Sequence, residues 1–157
     1  MPSPEPKRIL ELATIALLLE ARVIAVCAGG GGIPMTVSPA GRVAGVEAVI
    51  DKDLTAALLG AALRAEALLM LTDVDAAYTG WGTPGGARPV RVASPDAIGA
   101  YRFASGSMAP KIEAARRFVL ATAGRAMIGA LDAAPRILDG AAGTTIRPDA
   151  STVEWYR

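Results

Sequence analysis

Residues 49–75 read VIDKDLTAALLGAALRAEALLMLTDVD, a helix pattern followed at once by a strand pattern. Asp51 is a good N-cap residue, because its short carboxylate can accept hydrogen bonds from the free N–H groups of a first helical turn. The helix is predicted to run to about Leu63, with a core face at helical spacing made of Leu54, Ala57, Leu58 and Ala61. Ala67 to Thr72 is short and apolar, as expected for a strand buried on both faces.

The same alternation of helices and strands extends over the rest of the chain. Further strands are predicted at Arg22–Ala28 and Arg125–Ala130, with a short one at Gly143–Ile146. Further helices are predicted after Ser3, which would act as a cap, at Ser94-Pro95, from Pro110, and near Asp132–Leu138. This alternation predicts an α/β fold with three αβα layers and a mainly parallel sheet. Residues 1–148 would form one domain, and residues 149–157 a loose tail.

Two lysines stand near predicted helix starts, where a positive side chain is unfavourable. Lys52 follows the cap residue Asp51, and Lys111 follows Pro110. A helix N-terminus carries positive partial charge, so a lysine there costs about 0.3 kcal/mol or more. An anion bound at these helix starts would remove that cost, and phosphate is the usual one. The simpler alternative is that each lysine is a surface charge neutralised by acidic neighbours.

Four consecutive glycines, Gly29–Gly32, follow the strand predicted at Arg22–Ala28. Phosphate-binding loops also follow strands, but this run matches neither G-x-x-x-x-G-K-[ST] nor G-x-G-x-x-G. Glycines lose much conformational entropy on ordering, and close approach of the backbone to a ligand is one reason to tolerate that cost. The alternative is a flexible turn. Beyond the run, Ser38-Pro39-Ala40-Gly41 is a turn signal that predicts a hairpin within residues 33–49.

Polar and aromatic residues follow the strand that is predicted to end at Thr72. In open α/β sheets, ligands bind beyond the carboxyl ends of the strands, so Thr72 and Asp73 are expected to face the same rim as the glycines and lysines. For Asp73 and Asp75 the alternative is a role in capping turns, since the further ligands of a calcium loop are absent. Tyr78 and Trp81 lie in a loop and either stack on a base or cover an edge of the core.

The composition of the 157-residue chain excludes several classes of function. It is 52% hydrophobic, which indicates a packed core, and a net charge of +1 with scattered basic residues indicates no nucleic-acid partner. No membrane span or signal peptide is apparent. The single cysteine cannot form an internal disulfide, so a cytoplasmic location is expected. Without histidine, the commonest general base and metal ligand is absent, and no resident metal is expected. Cys27 is expected to be a buried strand residue.

In five blocks the chain resembles the carbamate kinase family, within the amino acid kinase superfamily. No single block is specific, but the five occur in the family's order, and the likeness extends to about Pro148. The blocks are Ser3–Ile9, Gly29–Pro34, Gly45–Leu54, Leu71–Ala76 and Gly106–Ala114. The resemblance implies an amino acid kinase-like fold, of which this chain is the C-terminal, nucleotide-binding half.

The resemblance also implies a kinase reaction, in which a phosphoryl group passes reversibly between carbamoyl phosphate and ADP to give carbamate and ATP, with Mg2+ carried by the nucleotide. Lys52 and Lys111 would contact the transferred group, and Asp53 would organise them. The residues implied at the nucleotide are Thr72, Asp73, Val74 and Met108, with Tyr78 a weaker candidate. The residues implied on the substrate side are Gly29, Gly30 and Gly31. Phosphoryl transfer needs positioning and cations rather than histidine or cysteine, which agrees with the composition.

Two departures from the family pattern affect these expectations. Ala109 stands where the family commonly has glycine, which tightens the loop before Lys111. The chain also starts where the second half of a carbamate kinase would start, so it is expected to be inactive or weakly active alone. Faces that would pack on a first half should expose apolar surface, which predicts a homo-oligomer or association through those faces.

Three alternatives to a carbamate kinase half remain open from the sequence. The first is a nucleotide-binding module or remnant without chemistry. The second is a Rossmann-like dinucleotide-binding domain, which the failed glycine fingerprint disfavours. The third is another amino acid kinase, acting on acetylglutamate or a nucleotide, and it fits less well because Lys52 before Asp53 is closer to the carbamate branch.

Overall fold

A mixed six-stranded sheet forms the centre of the computed structural model, which describes residues 1–157. Eight strands and five helices follow one another along the chain, together with a 3₁₀ turn at Leu131–Ala133. The helices are α1 (Leu12–Glu20), α2 (Lys52–Ala62), α3 (Pro95–Gly99), α4 (Met108–Thr122) and α5 (Ala134–Leu138). The strands are β1 (Met35–Val37), β2 (Val43–Gly45), β3 (Ala67–Thr72), β4 (Ala77–Thr79), β5 (Arg88–Ala93), β6 (Arg125–Ala130), β7 (Thr144–Ile146) and β8 (Val153–Trp155).

The strand order of the central sheet is β3-β6-β7-β5-β4, and β8 also pairs with β5. The pairs β3–β6 and β5–β7 are parallel, and β3–β6 is the longest, running from Ala67 opposite Arg125 to Thr72 opposite Ala130. The pairs β6–β7, β4–β5 and β5–β8 are antiparallel. The predicted α/β class is confirmed, with a mixed sheet whose two predicted long strands, β3 and β6, pair in parallel.

Helices cover both faces of this sheet, which confirms the three-layer arrangement. On one face, α2, α3 and α4 cover a core that includes Met70, Ile98, Phe118 and Ile128. On the other face, α5 places Ile137 against Gly129 of β6, where an added Cβ would lie 2.7 Å from the Ile137 Cδ1 atom. Glycine at this position lets the short helix approach the strand closely.

The buried hydroxyl of Thr144 joins three strands at the middle of the sheet. It accepts a hydrogen bond from the Ala77 backbone N–H at 2.9 Å and donates one to the Val90 carbonyl at 2.5 Å. The short strand β4 is therefore attached to β7 as well as to β5, and the chain that leaves β3 is held close to the sheet.

Helices α2 and α4 run side by side in the same direction. Asp53 contacts Lys111, and seven residues further along each helix, Gly60 contacts Phe118, where an added Cβ would lie 2.9 Å from the ring. Each helix leads through a short connection into a strand of the parallel pair β3–β6. The starts of both helices therefore lie at the carboxyl edge of these two strands, where α/β sheets bind ligands.

The prediction of a strand at Arg22–Ala28 is wrong. This segment has no strand pairing, Ile24 and Val26 are almost fully exposed, and Cys27 is exposed rather than buried. A run that is apolar on both faces is typical of a central strand, which needs a neighbouring strand on each side and cover above and below. Nothing in this chain supplies those neighbours to the segment.

The two ends of the chain also differ from prediction. Helix α1 begins at Leu12 without a side-chain cap, so Ser3 does not cap it. Ser3 and Glu5 both precede prolines, and a residue before proline is pushed away from helical backbone angles. At the other end, the predicted loose tail contains β8, which pairs with β5, and the Tyr156 hydroxyl donates to the Gly143 carbonyl at 2.7 Å.

Several local predictions are confirmed. The turn signal at residues 38–41 joins β1 and β2 in an antiparallel hairpin, and the Ser94 hydroxyl accepts from the Ala97 N–H to cap α3. Helix α4 begins at Met108, two residues before the predicted start at Pro110, because the Ala104 carbonyl already accepts from the N–H groups of Met108 and Ala109.

No helix has both the length and the apolar character needed to cross a bilayer.

Candidate active site

The start of α2 is fixed by Asp51, as the sequence predicts. The Asp51 carboxylate accepts hydrogen bonds from the Asp53 N–H at 2.8 Å and the Leu54 N–H at 2.9 Å. These bonds satisfy two of the N–H groups that a first helical turn leaves without partners. Lys52 thereby becomes the first residue of α2 and Asp53 the second, and the Asp53 side chain is directed towards α4.

A buried ion pair connects the two helix starts. The Asp53 Oδ2 atom lies 2.8 Å from the Lys111 Nζ atom, and the two side chains are only 10% and 9% exposed. The backbone of Lys111 lies about one turn inside α4, since Lys111 is the fourth residue of that helix, and its ammonium group is held against Asp53 near the start of α2. A charge taken out of water at such a position is tolerated only when it is paired, which makes Asp53 the residue that keeps Lys111 in place.

Lys52 completes the group but is held much more loosely. Its Nζ atom lies 3.5 Å from the same Asp53 oxygen, and its side chain is 61% exposed. Two ammonium groups share one carboxylate, so the three side chains carry a net charge of +1. The N-termini of two helices add positive partial charge at the same place. The combination favours an anion with several oxygens, such as a phosphoryl group.

The glycine run lies against the start of α2. The Thr55 hydroxyl donates to the Gly31 carbonyl at 2.9 Å and is also 3.0 Å from the Asp51 carbonyl. Gly31 is buried with a φ of +133°, and an added Cβ would lie 2.2 Å from the Ile50 carbonyl oxygen. Only glycine fits there, so the run is anchored at Gly31 while Gly29 and Gly30 stay exposed.

The residues expected at the nucleotide occupy the segment that leaves β3. Thr72 ends the strand, and its hydroxyl donates to the Asp73 Oδ1 atom at 3.0 Å. Val74 packs against the core. The Tyr78 hydroxyl donates to the Asp75 carboxylate at 2.8 Å, and this hydrogen bond raises the pKa of Tyr78 above its ordinary value. The phenol is protonated at neutral pH in any case, and the hydrogen bond to Asp75 keeps its proton in place to higher pH.

The structure thus brings some of the expected site residues together and separates others. Lys52, Asp53 and Lys111 are in contact, and Gly31 is tied to the same helix start. Thr72 and Asp73 lie at the carboxyl end of β3, whereas Tyr78 lies in β4 at the other end of the strand order, and none of the three makes a hydrogen bond to the lysines. Met108, at the first position of α4, is buried in the core and offers little surface to a ligand.

Sequence reasoning missed the role of Thr55. Its hydroxyl attaches the glycine run to α2, and its position four residues after the cap Asp51 is the only signal in the sequence. A threonine one turn into a helix ordinarily bonds only to its own helix backbone, so that signal is weak.

A cleft of about 400 Å3 lies elsewhere, between α3 and α4. Its lining includes Ala109, Glu113 and Arg116 of α4 and Phe103 of the preceding loop, but none of the lysine group. The Arg116 guanidinium is already engaged, donating to the Pro95 carbonyl at 2.7 Å and to Glu113 at 3.0 Å. This cleft is therefore distinct from the group of Lys52, Asp53 and Lys111 at the helix starts.

Comparison with known proteins relates this geometry to one family. The family model described as the amino acid kinase family matches residues 2–129. The carbamate kinase of Haemophilus influenzae is 46% identical over 156 residues, and that of Rhizobium meliloti is 45% identical over 157 residues. These alignments cover 99% and 98% of this chain but only 50% and 48% of those proteins.

A solved structure gives the same result in three dimensions. The carbamate kinase from Giardia lamblia bound to AMP-PNP superposes with a TM-score of 0.90 at 38% sequence identity. The superposition covers 95% of this chain and 48% of that chain. The chain therefore spans about half the length of the relatives that it matches, in sequence and in structure.

The buried ion pair predicts unequal effects of two neighbouring substitutions on stability. Asp53→Ala leaves the Lys111 ammonium buried without a partner and should lower the free energy of unfolding by about 3 kcal/mol. Lys52→Ala removes a largely exposed ammonium from the same carboxylate and should change the free energy of unfolding by less than about 1 kcal/mol. Urea unfolding followed by circular dichroism measures both, and equal effects would contradict the assignment of the buried partner.

Proposed function

This chain belongs to the amino acid kinase family, and from that premise we propose that it is the nucleotide-binding half of a carbamate kinase-type phosphotransferase. The proposed reaction moves a phosphoryl group reversibly from carbamoyl phosphate to ADP, giving carbamate and ATP. The observation that carries the proposal is the buried contact between Asp53 and Lys111. Lys52, the first residue of α2, lies beside this pair and contacts the same Asp53 oxygen. The similarity to carbamate kinases over nearly the whole chain supports the choice of branch.

Phosphoryl transfer requires positioned cations rather than a nucleophilic side chain or a general base from the protein. The bond between phosphorus and the carbamoyl oxygen breaks, a new bond forms to a terminal oxygen of ADP, and carbamate leaves with the bonding electrons. Negative charge spreads over the phosphoryl oxygens in the transition state, and positioned cations stabilise it. Lys111, fixed by Asp53, would supply an immobile cation, and the exposed Lys52 would supply an adjustable one.

The nucleotide would occupy the edge of the sheet beyond β3. Thr72, Asp73, Val74 and Tyr78 are proposed to line it, with Met108 contributing from the start of α4. Support comes from the position of Thr72 and Asp73 at the carboxyl end of β3, within the parallel pair β3–β6. Mg2+ would arrive with ADP or ATP as part of the substrate. A cytoplasmic location remains a prediction.

The glycine run would approach carbamoyl phosphate from the other side of the lysines. Gly29 and Gly30 are exposed and Gly31 is fixed to α2, so their backbone is available close to the helix start. The remaining contacts to the transferred group would come from the other half of the fold. We propose that this chain alone has little or no activity, because it surrounds the phosphoryl group on one side only.

A second function is favoured by one specific observation. The segment 22–28 leading into the glycine run is exposed and unpaired, so the substrate side has less support than the nucleotide side. A nucleotide-binding protein without chemistry would show this combination. It predicts ADP binding with no turnover, even when the other half of the fold is supplied.

The catalytic role of Lys111 is tested by complementation. Mixing this chain with the separately produced first half of a similar carbamate kinase should restore ATP formation from carbamoyl phosphate and ADP in a coupled assay. Lys111→Met should lower that rate by about 100-fold or more, since a cation at the transferred group is lost. Lys7→Met is the matched control, because Lys7 is exposed and pairs only with Glu5. Rapid turnover by this chain alone, or a fully active Lys111→Met mixture, would overturn the proposal.

The exposed apolar segment predicts self-association of the chain alone. Ile24 and Val26 are almost fully exposed, and contiguous apolar surface of this kind promotes contact between molecules. Light scattering should show a mass that rises with protein concentration, and the double variant Ile24→Lys with Val26→Lys should reduce the rise. Leu120→Lys, at an exposed position on α4, should not. A clean monomer at high concentration would contradict this prediction.

A further inference from the structure

One hydrogen bond ties the glycine run to a distant part of the chain. Residues 22–33 belong to no helix or strand, and their backbone hydrogen bonds reach only residues close by in the sequence, such as the bond from Gly31 to Ala28 at 2.9 Å. The exception is the hydroxyl of Thr55, which donates to the Gly31 carbonyl at 2.9 Å across 24 positions of sequence. The placement of the run relative to α2 therefore depends on this side chain and on packing at Gly31.

The hydroxyl proton of Thr55 is committed to that bond. Thr55 is 4% exposed, and its hydroxyl lies near two carbonyls, those of Gly31 at 2.9 Å and Asp51 at 3.0 Å. A hydroxyl has one proton to donate, and the Asp51 carbonyl already accepts from the Thr55 backbone N–H at 3.0 Å. The buried Gly31 carbonyl has no other donor, and leaving it without one would cost free energy, so the proton belongs between Thr55 and Gly31.

Packing at Gly31 supports the same attachment. The Gly31 backbone lies directly against the residue before the cap of α2, since an added Cβ would lie 2.2 Å from the Ile50 carbonyl oxygen. Close packing limits how near the run can come to α2, whereas a hydrogen bond is directional and also limits its orientation. Thr55 therefore determines how the run is turned relative to Lys52, the first residue of α2.

The glycines on either side of Gly31 carry free hydrogen-bond donors. The N–H groups of Gly30 and Gly32 have no partner in the protein, and both residues are exposed. Neighbouring backbone N–H groups in a turn can form a concave site for the oxygens of an anion. Because both glycines are bonded directly to Gly31 along the chain, a change in its orientation would move both donors.

We infer that Thr55 is a positioning residue for the substrate side of the proposed reaction: its hydroxyl orients the glycine run so that the free N–H groups beside Gly31 bind carbamoyl phosphate. The inference rests on the proposed function, which places carbamoyl phosphate between the run and the lysines. Thr55 is buried and acts through Gly31 instead of touching the substrate. No hydrogen bond joins it to Thr72 or Asp73, so its effect should fall on carbamoyl phosphate and not on ADP.

Amide exchange followed by NMR tests the attachment in this chain alone. Thr55→Val keeps the shape of the side chain and removes the hydroxyl, so the Gly31 N–H should exchange about fivefold faster, while those of Asp53 and Leu54 keep their rates. Thr55→Ser should restore slow exchange. Thr122→Val is the matched control, because the Thr122 hydroxyl also bonds one turn back in its own helix but to no distant segment.

Complementation kinetics test the effect on the reaction. In the mixture with the first half of a similar carbamate kinase, Thr55→Val should raise the KM for carbamoyl phosphate about fivefold. The KM for ADP should stay unchanged, and kcat should change by less than about twofold, because the lost contacts are made to the bound substrate. Thr55→Ser should behave as the wild type, and Thr122→Val should leave both KM values unchanged.

The outcomes separate this inference from the proposed function. Unchanged Gly31 exchange in Thr55→Val would overturn the attachment, and an unchanged KM for carbamoyl phosphate would overturn the positioning role. Both results leave the phosphotransferase proposal intact. An equal rise in the KM values of carbamoyl phosphate and ADP would also overturn the inference, since it would indicate general damage to the start of α2. A wild-type mixture without turnover would overturn the proposed function, and the substrate role of Thr55 with it.

Discussion

The arrangement at the helix starts depends on one buried ion pair. Asp53 and Lys111 lie at the beginnings of two parallel helices, and neither charge is tolerated away from water without the other. The pair keeps a cation at a place where two helix N-termini already repel it. The remaining positive character of the site, increased by Lys52, is what makes an anion the natural occupant.

The rest of the fold brings these two residues together. Asp51 fixes the register of α2, so that Asp53 faces α4. Gly60 lets the helices approach closely two turns further on, beside Phe118. Because each helix leads into a strand of the pair β3–β6, both helix starts lie at the edge where β3 delivers Thr72 and Asp73. The units α2–β3 and α4–β6 therefore position both the Lys111 cation and the proposed nucleotide residues Thr72 and Asp73.

Predictions from the sequence succeeded where the signal is local. The bounds of α2 and β3 follow from the cap Asp51 and an uninterrupted apolar run, and the structure confirms both. Prediction failed where the structure of a segment depends on residues that are distant in the sequence. Residues 22–28 have a strand pattern but no neighbouring strands, and β8 forms because residues far apart in the sequence, such as Arg88 and Trp155, meet. The pairing of Asp53 with Lys111, 58 residues apart, was implied only by the family resemblance and not by any pattern.

A double-mutant cycle on Asp53 and Lys111 tests the central claim most directly. The free energy of unfolding would be measured for the wild type, Asp53→Asn, Lys111→Met and the double variant. Each single change leaves one buried group without its partner, whereas the double change removes both, so the account predicts a coupling energy of about 2 kcal/mol or more. Additive effects, within about 0.5 kcal/mol, would show that the two residues do not depend on each other and would contradict it.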